Sequence, residues 1–194
     1  MSYLFKSCSL FTQQIRRNVA PFQYRPFWWW LNKMFNGVDE ERQKLYGPER
    51  TCAEWLLRNG AKLKWRGTTS FLKDYNQLPI ETEKCCIMEI DASDSSISHF
   101  GFLHLVGCKY IEKVILCNCW YLEDSALKML VVIKESLKHL EISKCGNITP
   151  EGLMCIGKLN NLETLILSDL IAVKDIKEVA SYLKQMLPGC NINI

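Results

Sequence analysis

The chain has 194 residues, a formal net charge of +3 and 48% hydrophobic residues, a composition that can bury one core and a small additional domain. It contains no run of about 18 apolar residues, which predicts that no segment spans a membrane. Its bases are concentrated at the N-terminus and the remainder is slightly acidic, which argues against a nucleic-acid-binding surface.

The N-terminal segment has the composition of a targeting sequence. Residues 1–38 contain basic residues but no acid, and the first acid is Asp39. A basic start with Ser and Thr and no acids is typical of mitochondrial transit peptides. We predict that residues 1–25 form such a peptide and that cleavage falls within residues 17–25, after Arg16 and Arg17. A tail that lacks acids by chance is the alternative.

Residues 26–60 are predicted to form a small N-terminal aromatic and helical domain. Its first part contains Trp28, Trp29 and Trp30 within a dense group of apolar residues. Aromatic rings with a polar edge are suited to a membrane interface, so these three residues are candidates for membrane contact. They are equally suited to packing over the end of a repeat array, and the sequence leaves both interpretations open.

The second part of this domain is predicted to be a helix that starts at Gly47-Pro48. Proline suits the first position of a helix, and the Asn59-Gly60 pair is typical of its end. The helix leads directly into the segment Leu63-x-Trp65, so we expect the N-terminal domain to pack on the first repeat.

Residues 61–194 contain a repeated apolar pattern with steps of 26 and then 25 residues. The pattern occurs as Ile111-x-x-Val114-x-Leu116-x-x-Cys119-x-x-Leu122, Leu137-x-x-Leu140-x-Ile142-x-x-Cys145-x-x-Ile148 and Leu162-x-x-Leu165-x-Leu167-x-x-Leu170-x-x-Val173. This spacing is typical of leucine-rich repeats. We therefore predict an α/β fold, a leucine-rich-repeat solenoid of about four Cys-containing repeats, each with a short parallel strand followed by a helix.

Two extensions of this pattern complete the predicted solenoid. Met88-x-Ile90-x-x-Ser93 lies 26 residues before the first clear repeat, and Leu63-x-Trp65 lies 25 residues earlier again, so residues 61–84 are interpreted as a degenerate first repeat. At the other end, residues 176–187 are predicted to form a closing amphipathic helix that stops at Pro188-Gly189. Such a solenoid offers an extended concave surface for binding.

The cysteines do not follow disulfide or zinc-site patterns. The start of the chain lacks a secretory signal peptide, and the spacing Cys117-x-Cys119 is not that of a zinc knuckle. Cys119 occupies an apolar column and is expected to be packed inside. Cys117 follows inward-facing Leu116, so we expect its thiol to project from the concave face, where it is either redox- or metal-sensitive or an inert bystander.

The chain contains no recognisable catalytic or phosphate-binding motif, and its histidines fit no His-Glu-x-x-His pattern. We therefore expect a protein that is not an enzyme.

Several blocks of the sequence resemble the family of mitochondrial ATP synthase subunit s, also called coupling factor B. The blocks, which span residues 27–175, are Trp-Leu-Asn-x-x-Phe-Asn (30–36), Gly47-Pro48-Glu49-Arg50, Glu54-Trp55-Leu56-Leu57-Arg58-x-Gly60, Lys73-Asp74-Tyr75-Asn76-x-Leu78-Pro79, Ile90-Asp91-Ala92-x-Asp94-Ser95, Leu116-Cys117-x-Cys119, Cys145-Gly146-Asn147-Ile148-Thr149 and Leu167-Ser168-Asp169-Leu170. Most of these blocks are not required by a generic repeat, which makes the resemblance specific.

The resemblance implies a peripheral protein on the matrix side of the mitochondrial inner membrane. Its expected partners are membrane-sector subunits of ATP synthase, where the family is thought to block a proton leak and keep proton transport coupled to ATP synthesis. The alternatives are an assembly factor for the membrane arm of respiratory complex I, which is a relative of this family, and a repeat adaptor of a ubiquitin ligase. The oligomeric state is left open, with a homo-oligomer among the alternatives.

The resemblance also implies site residues. The family binds Mg²⁺ through main-chain carbonyl oxygens and water, and the two ligand positions fall on Gly60 and Ser93, where the family often has Thr at the second position. Its thiol-sensitive Cys-x-Cys pair falls on Cys117 and Cys119. Oxygen ligands and retained water suit Mg²⁺.

Overall fold

A six-stranded sheet organises the part of the chain that the computed structural model describes, residues 26–79 and 85–194. The predicted transit peptide, residues 1–25, lies outside these residues. The chain divides into two compact units, residues 1–30 and 31–194, and residues 26–30 are the described part of the first. Residues 31–60 therefore belong to the same compact unit as the repeats.

The helices and strands alternate along the chain. The α-helices are α1 (Pro26–Asn36), α2 (Glu40–Tyr46), α3 (Pro48–Arg58), α4 (Asp124–Met129), α5 (Pro150–Met154) and α6 (Ile176–Met186). The strands are β1 (Lys62–Trp65), β2 (Ile87–Asp91), β3 (Lys113–Cys117), β4 (His139–Ser143), β5 (Thr164–Ser168) and β6 (Asn191–Asn193). Short 3₁₀ helices cover Tyr75–Gln77, His99–Leu105, Leu130–Ile133 and Cys155–Lys158.

The sheet follows chain order from β1 to β6, with β2 to β6 parallel and β1 antiparallel to β2. The fold is therefore α/β, as predicted, with a mostly parallel sheet. After β3 and β4, a short α-helix and a 3₁₀ helix bring the chain back to the next strand. This is the crossover that parallel neighbours require.

The three clear repeats are aligned as their spacing predicts. Val114 pairs with Leu140, and Leu140 pairs with Leu165. The second inward row, Leu116, Ile142 and Leu167, aligns in the same way and is buried. The steps of 26 and 25 residues therefore place one apolar strand of each repeat beside the next.

The predicted alignment of β2 is wrong by two residues. Ile90 pairs with Val114, a step of 24 residues, whereas the 26-residue spacing assigned it to Leu116. As a consequence Ser95, and not Ser93, occupies the column of Cys119, with its Oγ 3.8 Å from the Cys119 Sγ. A strand alternates with a period of two, so a slip of two residues keeps inward residues inward and leaves the pattern unchanged.

The predicted degenerate repeat at residues 61–84 is also wrong, because β1 is an antiparallel neighbour of β2. Leu63 pairs with Ile90 in this arrangement, and Leu63 and Trp65 are both buried. Their inward direction was predicted, but alternation is identical for a strand read in either direction. The apolar spacing therefore carried no information on strand polarity.

Both predicted helix boundaries of α3 are confirmed. Gly47 precedes the helix with a φ of 78°, Pro48 is its first residue, and Asn59 caps its end. The helix is buried on all sides over residues 51–57, more than its apolar face alone predicts. The closing helix α6 is confirmed as well, but the short polar edge strand β6 that follows it was not predicted.

Within residues 26–79 and 85–194, no helix is both long and apolar enough to cross a bilayer.

Candidate functional site

Left-handed residues at the carboxyl ends of the strands build the edge of the sheet where most candidate residues lie. Asp94, Asn118, Lys144 and Asp169 have φ angles of 58°, 55°, 54° and 52°. The N–H of Asp94 donates to the Cys117 carbonyl at 2.9 Å, and that of Asn118 donates to the Ser143 carbonyl at 2.9 Å. A left-handed conformation costs a non-glycine residue about 1–2 kcal/mol. Hydrogen bonds between successive turns offset this cost.

Gly60 and Ser93, the two residues implied as Mg²⁺ ligands, lie at this edge. Lys62 pairs with Asp91, and continuing that antiparallel register by two residues places Gly60 opposite Ser93. The Gly60 N–H donates to the Leu57 carbonyl at 3.2 Å, and the Ser93 N–H donates to Asp91 Oδ1 at 3.0 Å. Because both N–H groups are committed elsewhere, each residue brings its carbonyl oxygen to this edge as its remaining main-chain polar group.

Asp91 fixes the turn that contains Ser93. Its carboxylate accepts hydrogen bonds from the N–H and hydroxyl of Ser93 and pairs with the Lys62 ammonium at 3.3 Å. Burial by itself would raise the pKa of Asp91, but these hydrogen bonds and the ammonium outweigh it and hold the pKa below its ordinary value. A threonine hydroxyl at position 93 would serve Asp91 equally, which accounts for the tolerance of Ser or Thr there.

The edge provides oxygen donors without a cluster of charged ligands. Among the described residues, no group of three or more His, Cys, Asp or Glu side chains is arranged to hold a metal ion. The implied site uses main-chain carbonyls and water, so this observation leaves it untested. Carbonyl oxygens close to one carboxylate do fit a hard cation such as Mg²⁺, which keeps several of its waters.

The two candidate thiols differ in accessibility. Cys117 ends β3 and is half-buried on the side of the sheet opposite its inward row, whereas Cys119 is completely buried. The Cys119 Sγ–H donates to the Ala92 carbonyl at 3.1 Å. A hydrogen bond with the Cys145 thiol and burial both raise the pKa of Cys119. The structure therefore places one accessible and one inert thiol at this edge, and the Asp94 turn links Cys117 to the Ser93 loop.

Trp28, Trp29 and Trp30 lie on α1 in the first compact unit. They are 52%, 41% and 53% exposed, and the neighbouring Phe27 is 61% exposed. The Phe27 and Trp28 rings meet edge to face with centroids 5.7 Å apart. Successive residues of a helix point in different directions, so these rings cover several sides of α1 with apolar surface.

Asn36 is a connecting residue that sequence reasoning missed. It is fully buried at the end of α1, and its Oδ1 accepts hydrogen bonds from Trp55 Nε1 at 2.9 Å and Ser98 N at 3.0 Å. Its Nδ2 donates to Asn59 Oδ1 at 3.1 Å. Asn36 thus fastens the second half of α1 to α3 and to the loop after β2. A single asparagine carries no sequence pattern that could have revealed this role.

Glu54 is a second missed residue. Its carboxylate is completely buried and pairs with Arg42 at 2.8 Å, Arg50 at 2.8 Å and Arg58 at 3.3 Å. The spacing of Arg50, Glu54 and Arg58 at four-residue intervals is a visible signal of helical ion pairs. Arg42 comes from α2, and its participation could be found only in the folded chain.

Comparison with known proteins places these residues in a family. No family model matches the chain. It is 43% identical to "ATP synthase subunit s, mitochondrial" of Rattus norvegicus and of Mus musculus, and 40% identical to the Homo sapiens protein of that name. Each match covers 174 residues, 88% of this chain and 87% of the relative. The chain therefore belongs to the family of mitochondrial ATP synthase subunit s.

Proposed function

We propose that this protein is a non-enzymatic coupling subunit that associates with the membrane sector of mitochondrial ATP synthase and blocks a proton leak. The observation that carries this proposal is the 40–43% identity to proteins named as an ATP synthase subunit, over nearly the whole chain. The same name supports a mitochondrial location. We place the protein on the matrix side of the inner membrane, where the partners would be membrane-sector subunits.

The repeats supply the surface for such a partner. We propose that residues 61–194 form a leucine-rich-repeat solenoid, with residues 26–60 as the N-terminal domain. One parallel strand per 25–26 residues, stacked in register, supports this proposal. In a stacked array each repeat contributes to one continuous surface, which can hold or cover a partner over a long distance.

Peripheral membrane attachment is assigned to the aromatic part of α1. The exposed rings of Trp28, Trp29 and Trp30 combine an apolar body with an indole N–H, the combination enriched at bilayer interfaces. Replacing Trp28 and Trp29 together by Ala is expected to release the protein from inner-membrane vesicles in a flotation assay. Trp120→Ala, which removes a tryptophan that is 63% exposed on another element, is the matched control. Release by the control alone would contradict the assignment.

We propose that the carbonyl oxygens of Gly60 and Ser93, together with water, hold Mg²⁺. A bound divalent cation would neutralise carbonyl dipoles and tie the end of α3 to the turn after β2. Addition of Mg²⁺ to chelator-treated protein should raise the midpoint of thermal unfolding, since a ligand that binds only the folded state stabilises it. Asp91→Asn weakens the turn around Ser93 and should reduce that rise. An equal rise in both proteins would contradict this site.

The accessible thiol of Cys117 is proposed to lie at or near the working surface. Modification of this thiol should then weaken coupling, whereas Cys117→Ser should retain coupling and escape modification. The buried Cys119 has no part in this response.

Reconstitution tests the proposed function. Inner-membrane vesicles depleted of the protein are energised, and proton uptake and ATP synthesis are measured before and after it is added back. We expect the added protein to lower the proton leak and restore ATP synthesis. Unchanged leak and synthesis, together with loss of complex I assembly intermediates in cells that lack the protein, would favour the assembly-factor alternative.

A further inference from the structure

A cavity of about 390 Å³ opens between α2, α3 and the Tyr75–Gln77 helix, away from the edge that carries Gly60 and Ser93. Its walls include Arg42, Arg58, Trp55, Tyr75 and Phe35. All of its lining residues belong to the compact unit 31–194. The volume is within the range of sites for small organic ligands, about 300–1,000 Å³.

The arginines around the cavity have more donors than the protein uses. Glu54 is the shared acceptor: Arg42 contacts both of its oxygens, at 2.8 and 2.9 Å, whereas Arg58 makes one longer contact of 3.3 Å. A guanidinium has five N–H donors, so Arg42 and Arg58 retain donors after these contacts. Both side chains are partly exposed in the cavity, at 38% and 46%.

The balance of charge at this place is positive. The charged groups are the three arginines that surround Glu54, Glu54 itself and Asp39 in the cavity wall. Asp39 accepts the Arg42 N–H at 2.9 Å as the cap of α2. Three cations against two carboxylates leave one surplus positive charge.

Flat aromatic surfaces line the same cavity. The Arg58 guanidinium lies 5.9 Å from the centre of the Tyr75 ring, and Trp55 stacks on His104 with an interplanar angle of 11°. Such walls favour a planar apolar group, while the guanidinium forks favour a phosphate or another oxyanion.

We propose that this cavity binds a small organic anion that has a phosphate monoester attached to an aromatic or similarly planar group. The phosphate lies against Arg42 and Arg58, and the planar group lies between the aromatic walls. The proposal is independent of the coupling function.

The probe is phenyl phosphate, titrated into the full chain by isothermal calorimetry, with inorganic phosphate and phenol as half-ligands. We expect saturable binding with a dissociation constant of about 1 mM or tighter. Inorganic phosphate should bind more weakly because it lacks the ring, and phenol because it lacks the charge. Absence of saturable binding, or equal affinity for inorganic phosphate, would overturn the proposal.

Arg58→Gln should weaken phenyl phosphate binding about tenfold, since it removes a charge-assisted hydrogen bond. Glu54 keeps its shorter contacts with Arg42 and Arg50, so the variant is expected to fold. Arg66→Gln is the matched control, because Arg66 is an exposed arginine that stacks on Tyr110 outside the cavity. Equal affinities of the two variants would overturn the proposal. Tyr75→Leu, which spares the Glu54 contacts, should weaken phenyl phosphate more than inorganic phosphate and provides a second test.

Discussion

At the scale of single residues, Glu54 shows how the chain places a charge in its interior. A buried carboxylate is tolerated when cations and hydrogen bonds replace its water, and removal of one partner of a buried pair costs about 3–5 kcal/mol. Glu54 has three such partners on two helices. It therefore joins α2 to α3.

We predict that Glu54→Gln lowers the free energy of unfolding by about 3 kcal/mol, because three guanidinium groups lose their shared countercharge. Urea denaturation at pH 7 measures the change. Glu163→Gln replaces an exposed carboxylate and should change stability by less than about 0.5 kcal/mol. Equal stability of the two variants would show that the buried cluster contributes little.

The pH dependence has a defined sign. Burial would raise the pKa of Glu54, but its hydrogen bonds with Arg42 and Arg50 prevail and hold the pKa below its ordinary value. The unfolded chain then binds a proton at a higher pH than the folded one. This contribution to stability is complete above the unfolded pKa and is lost as pH falls through the folded pKa. The stability difference between the native protein and Glu54→Gln should therefore shrink in acid.

The cysteines of the Cys-x-Cys pair should differ in reactivity. We predict that N-ethylmaleimide modifies Cys117 in the folded protein before Cys119, because Cys119 is fully buried and its pKa is raised. Mass spectrometry of peptides after brief labelling assigns the modified residue. Equal labelling of both cysteines in native protein and after denaturation would contradict the structure.

At the scale of elements, the register of β3, β4 and β5 determines which apolar residues meet. Ile142 lies between Leu116 and Leu167 in the buried row, and each repeat leaves its inward face exposed unless its neighbour covers it. A polar group in this row would disturb three strands at once.

We predict that Ile142→Asp unfolds the repeats or costs several kcal/mol, because it buries an unpaired carboxylate. Ile115→Asp makes the same chemical change on the half-buried outward side of β3 and should be tolerated much better. Thermal unfolding of both variants tests the alignment. A soluble Ile142→Asp protein with an unchanged midpoint would refute it.

At the scale of the whole molecule, the N-terminal composition and the fold have separate tasks. The acid-free segment precedes α1, and the core of the described fold starts with Asn36 at the end of that helix. A segment removed on import would leave this core intact.

We predict that import into mitochondria removes the first 17 to 25 residues. N-terminal sequencing of the protein isolated from mitochondria identifies the new first residue. An intact Met1 would contradict a cleaved transit peptide.

The sequence by itself determined the strands of the clear repeats, the start and end of α3, and the closing helix α6. Apolar spacing and cap residues act locally, and a 26-residue step between Cys119 and Cys145 leaves few alternatives for the strand that precedes each. The blocks that carry the family resemblance were equally readable, including the Cys117-x-Cys119 pair.

Only the tertiary structure decided the polarity of β1, the two-residue slip of β2 and the partners of Glu54 and Asn36. Alternation has a period of two, so it is blind to strand direction and to even shifts. The hydrogen bonds of Asn36 and the pairing of Glu54 with Arg42 join residues on different elements. Such contacts are set by packing, which leaves no periodic trace in the chain.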